Sequence, residues 1–119
     1  AGAVLDAELV GRLRLEEMFS TVLLMMDNLK QALMDEDPAK AASVLETDDI
    51  LDEIKNSSID ILVDYAKKHT DSIYLCIGLA GVIRKIERTG DHLSNVAEDI
   101  VFYIDAKVLK HNATQEQAQ

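Results

Sequence analysis

An all-α fold, an antiparallel up-down-up three-helix bundle, is predicted by three features of the sequence. Apolar residues recur at alternating spacings of 3 and 4 along three long segments. The links between those segments are short, and short links force antiparallel neighbours. Glycine and proline number only five and one in 119 residues, few for an all-β chain that would need them at its turns.

Residues 4–35 read as the first helix. Its seam is Leu15, Met18, Val22, Met25, Leu29 and Ala32. Phe19, Leu23, Met26 and Leu33 widen the stripe, so that the helix is expected to face two neighbours. Met25 and Met26 read as gap-filling core rather than a soft-metal site. Near Gly11 the register slips, from Leu5, Leu9 and Leu13 to the later series, which marks a separate turn or a frayed end. Asp35-Glu36-Asp37-Pro38 closes this helix and starts the next, with Asp37 as cap and Pro38 at the first position, where its missing N–H would be unpaired anyway.

The second helix covers about 38–68, with Val44, Thr47, Leu51, Ile54, Ser58, Ile61 and Tyr65 on its seam. Lys67 and Lys68 in its last turn favour the negative end of the helix dipole. After the link His69-Thr70-Asp71, the third helix covers about 72–109. Its seam is Cys76, Leu79, Ile83, Ile86, Gly90, Leu93, Ala97, Ile100 and Ile104. Residues 1–111 thus form a single domain, and the polar segment 112–119 is expected to be a disordered tail.

Composition narrows the function. A formal net charge of −10 argues against nucleic acid and anionic lipid, which need a basic face, and suits cations or a basic partner. With five aromatics and no Trp, the core is aliphatic. The single cysteine, Cys76, cannot pair within the chain and lies on the seam, so it is read as core in a reducing cytoplasm. No apolar run approaches the roughly 20 residues of a membrane span. No signal peptide is expected, because Asp6 and Glu8 interrupt the first apolar residues and a basic start is missing.

The chemistry concentrates beside two seams. Asp48-x-x-x-Asp52 and Glu87-x-x-x-Asp91 each place two carboxylates on one helical face, where like charges repel. Solvent, a basic neighbour or a cation must offset that repulsion. The midpoints of the two pairs are equally far from the link at His69-Thr70. In a hairpin, Asp48 then comes level with Asp91, and Asp52 with Glu87. All four follow seam positions, so they are expected to converge on one edge, with Gly90 allowing close approach. Ser94 and Glu98 extend the stripe. Such an all-oxygen set suits Mg, Ca, Mn, or iron and zinc bound by carboxylate. The competing reading is an exposed acidic face neutralised by Lys55 or Arg84. No Glu-x-x-His occurs, so a ferritin-like di-iron site is not supported. Arg88, His92, Asn95 and Asp99 form a second polar line, read as surface hydrogen bonding rather than a phosphotransfer histidine. No nucleophile–base pair, phosphate-cradling loop or zinc-type spacing supports an enzyme.

Ile86-Glu87-Arg88-Thr89-Gly90-Asp91-His92 with Asn95-Val96-Ala97-Glu98 resembles the signature of the PhoU family of phosphate-signalling regulators, roughly L/I-E-R-I-G-D-H-x-x-N-I-A-E. Asp48-x-x-x-Asp52 falls where that family has its other D/E-x-x-x-D motif, and V-F-Y-I-D-A-K-V-L-K-H is similar to the family's C-terminal ends. The resemblance covers nearly the whole chain, weakly over residues 1–35. It implies a PhoU-like, spectrin-repeat-like three-helix repeat, usually found in tandem. It also implies a negative regulator that links a phosphate ABC transporter ATPase to a sensor histidine kinase, in the cytoplasm or at the inner membrane. By position, Asp48, Asp52, Glu87 and Asp91 become metal ligands, with Glu98 an extra one, for iron, zinc, Mn or Mg. Thr89 departs from the family's usual apolar residue, and only one repeat is present. The chain is thus half of a longer protein, a single repeat that forms a homo-oligomer, or the accessory domain of a sodium–phosphate cotransporter. A metal-binding or storage domain is the alternative function. The lack of His ligands and of an evident substrate pocket favours the regulator.

Overall fold

The structure, a computed structural model, describes residues 7–118. They fold as α1 (Ala7–Arg12), α2 (Leu15–Asp35), α3 (Pro38–Lys68), a 3₁₀ turn (Thr70–Ser72) and α4 (Ile73–Ala118), with no strand among them. The long helices run up, down and up. The α3–α4 hairpin makes the most extensive packing, and α2 lies against both of its arms.

The core is the set of seams. Met18, Met25, Leu29 and Ala32 from α2 meet Val44, Leu51 and Ile54 from α3. From α4 come Cys76, Ile83, Ile86, Leu93, Ala97, Ile100 and Ile104, all buried, with Gly90 buried among them. Leu79 on the same seam is half-buried.

The ends are set by local chemistry. Asp37 caps α3 by accepting a hydrogen bond from the Lys40 N–H at 3.1 Å. Glu36 closes α2 in a left-handed conformation, φ 53°, with its N–H donating to the Ala32 carbonyl. At the other link the His69 ring stacks on Tyr65, centroids 4.2 Å apart, and the His69 backbone N–H donates to the Tyr65 carbonyl.

Three expectations are corrected in part. The first helix is broken at Leu13–Arg14, two to three residues beyond the slip at Gly11. Arg14 is left-handed, φ 59°, and its guanidinium makes paired hydrogen bonds to Glu17 at 2.7 and 2.8 Å. The break turns Leu9 and Leu13 inward, while Leu5 lies outside the described residues. Second, α2 does face two neighbours, α3 and α4, but the widening residues Phe19, Leu23, Met26 and Leu33 stay largely uncovered, at 53%, 68%, 54% and 41% exposed. In a bundle of three long helices α2 lies in the furrow between the two arms of the hairpin and reaches both with its seam, so the flank beyond it stays open. Each uncovered large side chain forgoes up to about 2 kcal/mol of burial. Third, α4 continues to Ala118, so the segment read as a disordered tail is helical as far as it is described. It lacks Gly and Pro, and its Ala, Gln and Glu residues are good helix formers that extend an existing helix easily.

Candidate cation site on the hairpin edge

The hairpin has an outer groove, lined by α3 and α4 with no α2 residue. The carboxylate pairs lie along its middle. Gly90 fixes their height. A Cβ there would stand 2.5 Å from Leu51 Cδ1 and 2.8 Å from Asp48 Oδ1, so α3 and α4 touch where only hydrogen fits.

Asp48 reaches across to Asp91 and Ser94. Burial pushes its carboxyl above the usual range; the Ser94 hydroxyl partly offsets this, and the Asp91 charge adds to it. Ser94 is only 9% exposed. Asp48 Oδ1 and Ser94 Oγ are both fully buried, and the Ser94 hydroxyl lies close enough to influence the carboxylate without a well-formed hydrogen bond between them. Buried polar atoms without partners are uncommon and mark a place where something else belongs.

One turn along, Lys55 stands between the other two carboxylates. Its ammonium is 3.0 Å from Asp52 and 3.8 Å from Glu87. Burial pushes the Glu87 carboxyl up, helped by Asp91, Asp52 and Asp48 and opposed by Lys55. The bond to Asp52 raises the Lys55 ammonium in turn. The four carboxylates therefore sense one another, in the register that the equal distances from the link predict.

Glu98 is not brought to them. It is exposed and lines the next stretch of groove with Ala42, Leu45, Val101 and Phe102. Arg84 lines the stretch toward the link with Lys55, Asn56 and Arg88, and makes no ion pair among the described residues. Arg88, His92, Asn95 and Asp99 are all exposed to solvent.

The donor set fits a hard cation in its chemistry, and the orphaned oxygens of Asp48 and Ser94 offer it a partner. The placement is open, however. Among the described residues no three His, Cys, Asp or Glu side chains converge closely enough to hold a metal ion. Lys55 already serves as counter-ion to Asp52 and Glu87, so a cation that used all four carboxylates would have to displace its ammonium.

Two features escaped the sequence reading. Ser94 was placed on the stripe but not in its buried floor; its position one turn past Gly90 was the available signal. The groove also turns apolar at both ends. At one end Leu45, Val101 and Phe102 line an open volume of about 410 Å³; at the other Ile59, Val63, Ile77 and Ala80 line one of about 150 Å³. Ile77, Val63 and Phe102 lie off the seams, and periodicity alone gave them no face.

Residues 15–100 match the PhoU domain family. The chain is 35% identical over 83 residues to a phosphate-specific transport system accessory protein PhoU homolog of Zymomonas mobilis, covering 70% of this chain and 35% of that protein. It is 33% identical over 90 residues to the homolog of Deinococcus radiodurans, covering 76% and 42%. It is 27% identical over 96 residues to PhoU homolog 1 of Thermotoga maritima, covering 81% and 41%. The chain thus spans well under half the length of these curated relatives. No solved structure matches it significantly.

Proposed function

This chain belongs to the PhoU family, and from that premise we propose that it is a non-enzymatic negative regulator of phosphate uptake and of the phosphate-starvation response. It works through helix faces, in the cytoplasm or at the inner membrane surface, linking a phosphate ABC transporter ATPase to a sensor histidine kinase. The observation that carries this reading is the family match over residues 15–100, which includes both carboxylate pairs and the Glu87–His92 motif. No helix of the described residues is long and apolar enough to cross a membrane.

The edge formed by Asp48, Asp52, Glu87 and Asp91 would hold a divalent or trivalent cation, with iron, zinc, Mn and Mg as the candidates. A bound cation would neutralise the carboxylates and tie α3 to α4. The chain's own contribution is to hold two pairs level, with Gly90 keeping the helices close and Lys55 filling in as counter-ion. In the host, deletion of the gene should switch on phosphate-starvation genes in phosphate-replete medium, and the full-length protein should restore silence. A reporter that stays silent after deletion would count against the regulator. Metal analysis of protein purified without chelator tests the cation separately. We expect on the order of one ion per chain, lost in Asp48→Asn and Glu87→Gln. A metal-free wild type under metal-replete conditions would remove the cation and leave the regulator standing.

A further inference from the structure

We infer that the outer groove between α3 and α4 docks an amphipathic helix from a partner protein, apolar toward its two ends and carrying Arg or Lys at its middle. This goes beyond the regulatory reading, because it follows from the groove's chemistry and holds whichever genes the chain serves.

Three observations define the occupant. The first is shape. The groove lies between two antiparallel helices, and its two apolar stretches are about 20 residues apart along them, roughly 30 Å at the helical rise. A helix laid along it would reach both. Leu45 and Phe102 at one end and Ile77 at the other are 38%, 75% and 61% exposed, so apolar side chains await cover there.

The second is charge. Between those ends Asp48, Asp52, Asp60, Glu87 and Asp91 outnumber Lys55, Arg84 and Arg88, and Lys55 is committed to Asp52 and Glu87. A second copy of the chain would bring the same excess of carboxylates and a net charge of −10 against them. A basic segment brings the complement, and charge complementarity sets both rate and register of docking. The third is accessibility: Asp48 Oδ1 and Ser94 Oγ are sealed beneath the groove, and the carboxylates above them are the ones a partner meets. A guanidinium or ammonium laid over the middle meets Asp52, whose side chain is 55% exposed and can accept from it.

The test uses two fluorescein-labelled helical peptides of about 20 residues. Both carry Leu on one face near each end; one has Arg at the middle of that face, the other Glu. Anisotropy titrations with the intact chain in chelator, where no metal occupies the carboxylates, should show the Arg peptide binding at least tenfold more tightly than the Glu peptide. Leu45→Lys and Ile77→Lys, both at exposed positions and checked for folding by circular dichroism, should each weaken the Arg peptide at least tenfold. Leu23→Lys, on the exposed stripe of α2, should leave it unchanged. Equal affinity for the two peptides, no binding of either, or loss of binding only in Leu23→Lys overturns the proposal. So does a concentration-dependent dimer that Leu45→Lys abolishes, which would give the groove to a second copy.

Discussion

At Gly90 a single missing carbon decides how close two helices come. Alanine is the better helix former by about 1 kcal/mol. Its Cβ would nevertheless stand 2.5 Å from the Leu51 side chain, which is 0% exposed and would have to shift within the core. Overpacking a filled core costs about 1–3 kcal/mol, so Gly90→Ala should lose roughly 1 kcal/mol net. At Gly78 a Cβ meets nothing within 4 Å, and Gly78→Ala should instead gain about 0.5–1 kcal/mol. Urea midpoints separate the two; equal stabilisation would mean that α3 and α4 are not in contact at Gly90. Lys55 poses the complementary case of a charge that is present. Lys55→Ala removes the counter-ion of Asp52 and Glu87 and should lower stability in chelator by about 0.5–1 kcal/mol, as for a partly exposed pair. It should also enlarge the thermal stabilisation that Mn gives, since no ammonium competes for the carboxylates. An identical Mn response in wild type and variant would refute this role for Lys55.

Elements are where the sequence was most and least legible. The α4 seam could be read residue by residue, because 3,4 alternation held over nine positions and a straight helix keeps such a line facing one way. The height of the carboxylate pairs was legible for a related reason: the rise per residue is constant, so equal distances from a tight link mean equal levels. The second stripe of α2 misled because periodicity reports that a face is apolar, not that anything covers it. The polar segment past Asn112 misled in the opposite sense, since polarity signals exposure to solvent and leaves helix formation to propensity. Lys55 was foreseen as one of two counter-ions, but its choice over Arg84 depends on side-chain reach rather than spacing. The break before α2 is held by a contact distant in sequence, which local pattern does not show. The Ser58 hydroxyl donates to the Leu13 carbonyl at 2.6 Å, with both groups buried. Ser58→Ala leaves that carbonyl unsatisfied and should cost about 1–3 kcal/mol. The loss should centre on α1: hydrogen exchange should accelerate over residues 7–14 more than in the α4 seam. Uniform acceleration would show that the bond holds the whole bundle rather than the junction.

As a whole the molecule is a rod, 78 × 21 × 16 Å, with a radius of gyration of 20.3 Å where a compact globule of this length would have about 13.5 Å. Such a shape leaves much surface per residue, and here that surface is strongly acidic. Its response to pH follows from the groups whose environments are altered. Burial and neighbouring carboxylates hold Asp48 and Glu87 above their ordinary values. The folded chain therefore keeps protons there that the unfolded chain has released, and stability falls as pH rises from the ordinary carboxylate range through the raised folded values. Exposed Glu17 works the other way. Its bond to Arg14 holds it below its ordinary value, so its contribution is present above that value and fades as pH falls through the lowered one. The net charge adds self-repulsion that protonation relieves. In chelator, then, the urea midpoint should rise as pH is lowered from neutral toward the ordinary carboxylate range. It should turn over only at lower pH, where Glu17 is protonated and net positive charge builds. The double variant Asp48→Asn, Glu87→Gln should flatten the rise without moving the acid limb. Added NaCl should lift the midpoint at neutral pH more than at the acid end of that interval, because screening replaces what protonation already supplies. A wild-type midpoint that falls steadily over the same interval would mean that these carboxylates are stabilised as anions. A cation or basic group held in the groove even in chelator would then be the partner to seek.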